Sequence, residues 1–454
     1  MTLTGLDDAL PGWLPGQRWY AGKGRPLRRT RSFVAATLRG DDPQLHLVLV
    51  DCEYSSGPID RYQLPLGLRR ELPDNLQYAA IGPVECDGES YRAYDALHDA
   101  ELTGVLLDQI EAGRTIGPVS FSSTQSLVHR PGRLLGGEQS NSSVVFGDDH
   151  ILKVFRKITP PGLNPDLEVT RALAAVGSTV IAPPQGWYEY VTPDFSATLG
   201  LLQPFLRGGT DGWGLAITSV RDLLHDLTQQ ADEAGGDFAP EAHRLGGVTA
   251  AMHADLRAAL PTRSTADAAQ RAMADQMVER LHVAAAAVPD LRPHVPELAA
   301  AYSDVAELTA PVGLQRIHGD YHLGQVLRTD HGWVVLDFEG EPARSLDERR
   351  AVMSPLRDVA GMLRSFDYAA RHHLMDVTSP SERLRESAEQ WATRNRTAFC
   401  DGYAEHSGSD PREQAVLLRA YQLDKAVYEV VYEARNRPAW ITIPLGSIQR
   451  LVEK

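Results

Sequence analysis

The sequence predicts an α+β chain of two lobes, strand-rich in its first part and mainly helical in its second. Short strand-like runs bounded by turn residues occupy Phe33 to Leu66 and again Tyr91 to Leu202. Beyond Gln203-Pro204-Phe205 an Ala- and Leu-rich helical period takes over, broken only near Leu314 to Ile317 and Trp333 to Phe338. At 454 residues the chain also exceeds what one hydrophobic core usually serves.

The apolar run Leu45 to Val50, flanked by Asp41-Asp42-Pro43 and Ser55-Ser56-Gly57-Pro58, reads as part of a small antiparallel sheet forming a cap. Ser143 to Phe146, Gly147-Asp148-Asp149 and Ile151 to Phe155 read as a β-hairpin. Pro160-Pro161-Gly162 then breaks the pattern before a helix. Asp410-Pro411-Arg412-Glu413 supplies an N-cap, a first-turn proline and a capping-box glutamate, so a helix is expected from there to about Asn436, where Arg437-Pro438 ends it. The expected organisation is an N-terminal cap subdomain over 1–90, an intermediate subdomain over 91–202 and a helical lobe over 203–454.

With 60 acidic against 45 basic side chains the net charge is -15, which repels phosphate backbones and anionic lipid surfaces. Neither nucleic acid nor membrane is the expected partner; a small molecule is. No apolar run approaches the roughly 18 residues a bilayer span needs, and the start lacks the pattern of a signal peptide, so a cytoplasmic location is expected. Cys52, Cys86 and Cys400 have neither metal-ligand nor redox spacing and read as buried spare thiols. Met252-His253 and His372-His373 lack a third ligand and read as packing or surface residues.

The chemistry concentrates in His318-Gly319-Asp320-Tyr321-His322-Leu323-Gly324-Gln325 and in Val334-Val335-Leu336-Asp337-Phe338-Glu339. Phosphoryl transfer needs a carboxylate to orient the acceptor hydroxyl and nearby oxygens to hold magnesium on the nucleotide. Asp320 and Gln325 stand at the interval that separates catalytic aspartate from metal-binding amide in kinase catalytic loops, and Asp337 follows a short apolar strand, where the second metal carboxylate belongs. Upstream, Gly136-Gly137-Glu138-Gln139-Ser140-Asn141-Ser142-Ser143, then Lys153, then Glu168 give the order expected of a phosphate-covering loop, a strand lysine and the helix glutamate that fixes it.

HGDYHLGQVLR and LDFEGEPAR resemble the loops of the actinobacterial maltokinase-like sugar kinases, a family with maltokinase and glucosamine kinase branches, and more distantly those of aminoglycoside and choline kinases. The resemblance runs from Gln17-Arg18-Trp19-Tyr20-Ala21-Gly22 to beyond Trp440. It implies a bilobal protein-kinase-like fold with an extra N-terminal cap, and ATP and Mg2+ as cofactors. Carried over, Asp320 is the catalytic base and Gln325 and Asp337 bind magnesium with Glu339 nearby. Gln139, Ser140, Asn141, Ser142, Ser143, Lys153 and Glu168 hold the nucleotide, and Gln203-Pro204-Phe205 is the hinge whose backbone reads adenine. Gln325 replaces the asparagine of most kinases but still offers an amide oxygen.

On the Asp410 helix, Gln422, Glu429, Glu433 and Asn436 share one stripe, and Tyr421, Lys425, Tyr428 and Tyr432 the next, a polar and aromatic wall suited to a sugar. With Asp320, Tyr321, His322 and Trp440 these give the expected acceptor residues Gln422, Lys425, Tyr428, Glu429 and Glu433. Gln422 stands where the resemblance leads one to expect glutamate in maltokinases, and Tyr321 where it leads one to expect leucine. A pocket with Asp320, Glu429 and Glu433 suits an aminosugar cation. The expected reaction is therefore phosphorylation of glucosamine at its 6-hydroxyl. Maltose at its 1-position and an aminoglycoside are the alternatives, and a degenerate fold that binds without chemistry is the non-enzymatic one.

Overall fold

The structure is a computed structural model and describes residues 3–136, 140–158, 162–233, 236–265, 267–341 and 344–453. The chain divides into two compact units, one from Met1–Arg171 and Ala182–Arg207, the other from Ala172–Ile181 and Gly208–Lys454.

The first unit holds two seven-stranded antiparallel sheets. Its organising strand is Gln44–Tyr54, buried along nearly its whole length. Side chains alternate across a strand, so Leu45, Leu47 and Leu49 enter one core while Val48, Val50 and Cys52 enter another. This is why Leu45 to Val50 reads as an apolar run, interrupted only by His46, rather than an alternating one. The first core also receives Leu102, Leu106 and Ile110 of the helix Ala100–Ala112, and Val144, Phe146, Leu152 and Val154 from the second sheet. The second core closes on Leu6, Leu10, Trp19 and Tyr20.

Cap and nucleotide-side strands are joined directly. The cap sheet runs past residue 90 through the strand Glu89–Asp95, and Lys157–Ile158 adds to it by pairing with Asp60–Arg69. Beside that seam the fully buried Arg156 donates to Asp95 Oδ2 at 2.6 Å and to Ser142 Oγ at 2.8 Å, with its guanidinium 4.7 Å from the Trp19 ring centroid. The expected hairpin forms from Ser142–Phe146 and His150–Val154, with Phe146 opposite His150. All three cysteines are free and buried, and burial pushes the thiols of Cys52 and Cys400 up to about 12.

In the second unit, helices surround a short sheet in which Thr210–Asp211 and the hairpin Val326–Thr329 and Gly332–Val335 pair in order. The helix expected from Asp410 begins as a 3₁₀ turn over Pro411–Gln414, capped by Asp410 onto the Arg412 N–H at 2.9 Å, and continues as Ala415–Asn436. Among the described residues no helix is long and apolar enough to cross a membrane.

Candidate active site

The segment His318 to His322 leaves the strand Gly313–Gln315 and is fixed from behind. Asp358, in the first turn of the helix Leu356–His372, is 1% exposed and accepts the N–H of His318 at 2.7 Å and of Gly319 at 2.9 Å. Its Oδ2 also meets His253 Nε2 at 3.1 Å, and His253 Nδ1 meets Tyr403 Oη at 3.0 Å. Burial alone would raise the Asp358 pKa, but the hydrogen bond from His253, the His253 and His318 imidazoles and the Gly319 N–H outweigh it and hold the carboxyl low. Gly361 brings this helix against the loop, since a Cβ there would stand 2.6 Å from the Tyr321 carbonyl oxygen.

His318 ties the loop to the metal-binding segment expected downstream. Its Nε2 faces the Leu336 carbonyl at 2.8 Å and so carries the proton, leaving Nδ1 to accept from the Asp320 N–H at 3.3 Å. The hairpin then aligns Val326 with Val335, and Leu336 N–H donates to the Gln325 carbonyl at 2.9 Å. Gln325 and Asp337 thereby stand at the two feet of one hairpin. Asp337 has φ 60°, a left-handed conformation that costs a non-glycine residue energy and is typical of positions under functional constraint. Oxygens of Asp337 and Glu339 come within 4.8 Å of one another. Two carboxylates this close offer hard oxygen donors of the kind magnesium takes.

In front of the loop, Asp320 Oδ1 accepts from Lys425 Nζ at 3.1 Å, and Oδ2 lies 4.0 Å from His322 Nε2. His322 Nδ1 accepts the Gly324 N–H at 3.1 Å. Lys425 also donates to Glu341 at 2.7 Å, and Glu341, 2% exposed, pairs with Arg344 at 2.6 Å and Arg357 at 3.1 Å. Burial would raise the Glu341 pKa, but these three cations hold it far below the usual carboxylate range.

Asp320, His322, Lys425, Tyr428, Glu429, Glu433 and Trp440 line a single cavity of about 560 Å³, within the size range of ligand pockets. Glu433, 2% exposed, accepts from Tyr368 Oη at 3.1 Å and from Arg437 at 2.7 Å. Glu429 accepts from Arg364 at 2.6 Å. Burial raises the Glu429 pKa against the opposing pull of Arg364. Trp440 packs on His372 with ring centroids 5.3 Å apart and lies 4.4 Å from the Arg437 guanidinium, which makes His372 a support of this wall.

Two expected acceptor residues lie elsewhere. Tyr321 is 2% exposed, its Oη bonded to Thr249 Oγ1 at 2.9 Å, so it anchors the loop to the helix Ala239–Ala259 instead of narrowing the sugar cavity. Gln422 faces a different cavity with Leu363, Arg396 and Leu451. Asp358, Glu341, His253, Arg364 and Tyr368 are the participants that sequence reasoning missed.

In the first unit Lys153 Nζ lies 3.2 Å from Oδ2 of the buried Asp166, a partner two residues ahead of Glu168 on the helix Pro165–Ala175. Gln139 lies outside the described residues. Ser140 and Asn141 precede the hairpin strand, and Ser143 is buried within it. Ser142 is buried with its hydroxyl engaged by Arg156, so its side chain is closed to a ligand. At the expected hinge the Phe205 N–H donates to the Asp149 carbonyl at 3.0 Å, and the Gln203 side chain donates through Nε2 to the Ala182 carbonyl at 2.7 Å.

Comparison with known proteins identifies the family. Residues 13–99 match the maltokinase N-terminal cap domain, and residues 131–378 match the phosphotransferase enzyme family. A glucosamine kinase of Streptacidiphilus jiangxiensis is 31% identical over 329 residues, 69% of this chain and 72% of that protein. One of Mycolicibacterium smegmatis is 27% identical over 412 residues, 87% of this chain and 98% of that protein. A solved glucosamine kinase in complex with glucosamine, ADP and inorganic phosphate shares the fold, with a TM-score of 0.70 and 23% identity over 98% of each chain. The chain belongs to the phosphotransferase enzyme family and is an ATP-dependent kinase that carries a maltokinase N-terminal cap domain.

Proposed function

We propose that the protein transfers the γ-phosphoryl group of ATP to the 6-hydroxyl of glucosamine. The observation that carries this reading is the polarity of the acceptor cavity. Lys425, Glu429 and Glu433 follow one another at four-residue intervals on the helix Ala415–Asn436, so Glu433 stands about 12 Å along the axis from Lys425. The Lys425 cation beside Asp320 disfavours an ammonium at that end, whereas the carboxylates of Glu429 and Glu433, oriented by Arg364 and Arg437, offer it charge-assisted acceptors at the other. An aminosugar therefore enters with its ammonium toward the two glutamates and a hydroxyl toward Asp320. Tyr428 and Trp440 offer apolar faces to the ring.

Asp320 takes the hydroxyl proton as the acceptor oxygen bonds to phosphorus and the bond to ADP breaks. Gln325, Asp337 and Glu339 would hold Mg2+, which would supply the charge that masks the nucleotide phosphates. In the first unit Lys153, held by Asp166, serves the phosphates with Ser140, Asn141 and Glu168. A panel of glucosamine, maltose and an aminoglycoside in an assay coupled to ADP release tests the reading. Glucosamine is expected to turn over fastest, and turnover of maltose without glucosamine would retire it.

A further inference from the structure

We propose that Lys425 is a positioning residue that fixes which oxygen of Asp320 meets the acceptor hydroxyl. The inference rests on the reading of Asp320 given above. Lys425 occupies Oδ1 at 3.1 Å, which leaves Oδ2, on the His322 side, as the oxygen available to a hydroxyl. A carboxylate on a two-torsion side chain would otherwise present either oxygen.

Lysine is ordinarily a loose tether, with a flexible four-carbon stem. Here it is held at both ends. Its backbone is in the middle of a 22-residue helix, and its ammonium lies between Asp320 and Glu341 and 4.8 Å from the Tyr428 ring centroid. Glu341 cannot swing away, because Arg344 and Arg357 grip the same carboxylate. The chain of contacts from Arg357 through Glu341 and Lys425 to Asp320 is thus a brace from the helix Leu356–His372 to the reacting carboxylate. That helix also holds the back of the loop through Asp358, so one element sets both the backbone and the side chain of Asp320.

The same contacts argue against Lys425 as a sugar ligand. Two of its three N–H donors are engaged by carboxylates, and its charge has the sign of the aminosugar it would have to bind. A brace acts on the reacting geometry, and misplacing a reacting group by about 1 Å costs on the order of 100-fold in rate.

Steady-state kinetics of Lys425→Met and Lys425→Arg, with the best acceptor of the panel, test this. For Lys425→Met, kcat is expected to fall on the order of 100-fold while both KM values move less than about threefold. Lys425→Arg, whose guanidinium can span both carboxylates, is expected to recover kcat to within about tenfold. An unchanged kcat, a rise in acceptor KM alone, or an arginine variant as impaired as the methionine one would overturn the proposal. Asp320→Asn in the same assay separates the two readings. Its loss of turnover beside an unaffected Lys425→Met removes only the brace, whereas turnover retained in Asp320→Asn removes the base and the brace together.

Discussion

Behind the catalytic loop, Asp358 meets three nitrogen groups, the His318 and Gly319 N–H and His253 Nε2, so that both of its oxygens are engaged. In front of it, Asp320, which lines a cavity, has one oxygen held by Lys425 and the other 4.0 Å from His322 Nε2. The two carboxylates share a chemistry but not an exposure, Asp358 being buried and Asp320 one-fifth exposed, so one is closed and the other half open. A buried acid with both oxygens hydrogen-bonded holds backbone in place, while one with an oxygen outside hydrogen-bond distance of any partner can receive a proton or a hydroxyl. The catalytic loop needs both kinds, because a reactive group is only as well placed as the peptide that carries it.

The contrast can be broken at either carboxylate. Asp320→Asn removes the open one and is expected to lower kcat on the order of 1000-fold, with little change in melting temperature, measured by ADP release and by thermal denaturation. Asp358→Ala removes the closed one, leaving His253 Nε2 and two loop N–H groups without this acceptor. A loss of about 3–5 kcal/mol in denaturant unfolding is expected, with the activity loss following the unfolded fraction. If Asp358→Ala proved stable and inactive, the closed carboxylate would have a chemical role after all.

Smaller effects sharpen the acceptor side. Glu433→Gln is expected to raise the glucosamine KM on the order of 10-fold or more while leaving the ATP KM in place, as the loss of one charge-assisted contact to the ammonium. The pH dependence should carry a sign. Burial raises the Glu429 pKa, and only the ionised form attracts a cation, so the glucosamine KM rises as pH falls, beginning above the usual glutamate range. A KM for ATP that does not follow this rise, and a flattened profile in Glu429→Gln, would locate the effect at that side chain. Tyr321→Phe is expected to cost about 1 kcal/mol of stability through its lost bond to Thr249, with the acceptor KM shifted less than about twofold.

What could be read from the sequence was what is written along it. Asp320, Gln325 and Asp337 are ordered by a loop and a single hairpin, so their spacing constrains their placement. The end of the helix at Asn436 was legible because Arg437-Pro438 stops any helix. Gln422 was misjudged for a geometric reason. It shares a stripe with Glu429 and Glu433, but it sits about 10 Å along the helix from Glu429, and the stripe passes from one cavity to another over that distance. The bond from the Phe205 N–H to the carbonyl of the Asp149 turn, where the chain leaves the strand Phe195–Pro204, is a partner no local pattern announces. Asp358 and Glu341 are two acids among 60, and only tertiary contact tells them from surface carboxylates.

The matches over residues 13–99 and 131–378 suggest two separable modules, yet the strand Lys157–Ile158 belongs to the sheet of the first and the sequence of the second. Cutting the gene between them would strip that strand of its neighbour, Arg156 of its counter-ion Asp95, and the leucines of Ala100–Ala112 of the lid formed by Leu45, Leu47 and Leu49. Shuffling cap domains among related enzymes would therefore demand that the recipient bring its own matching edge, and a minimal enzyme made by trimming the first hundred residues should be insoluble rather than merely deregulated.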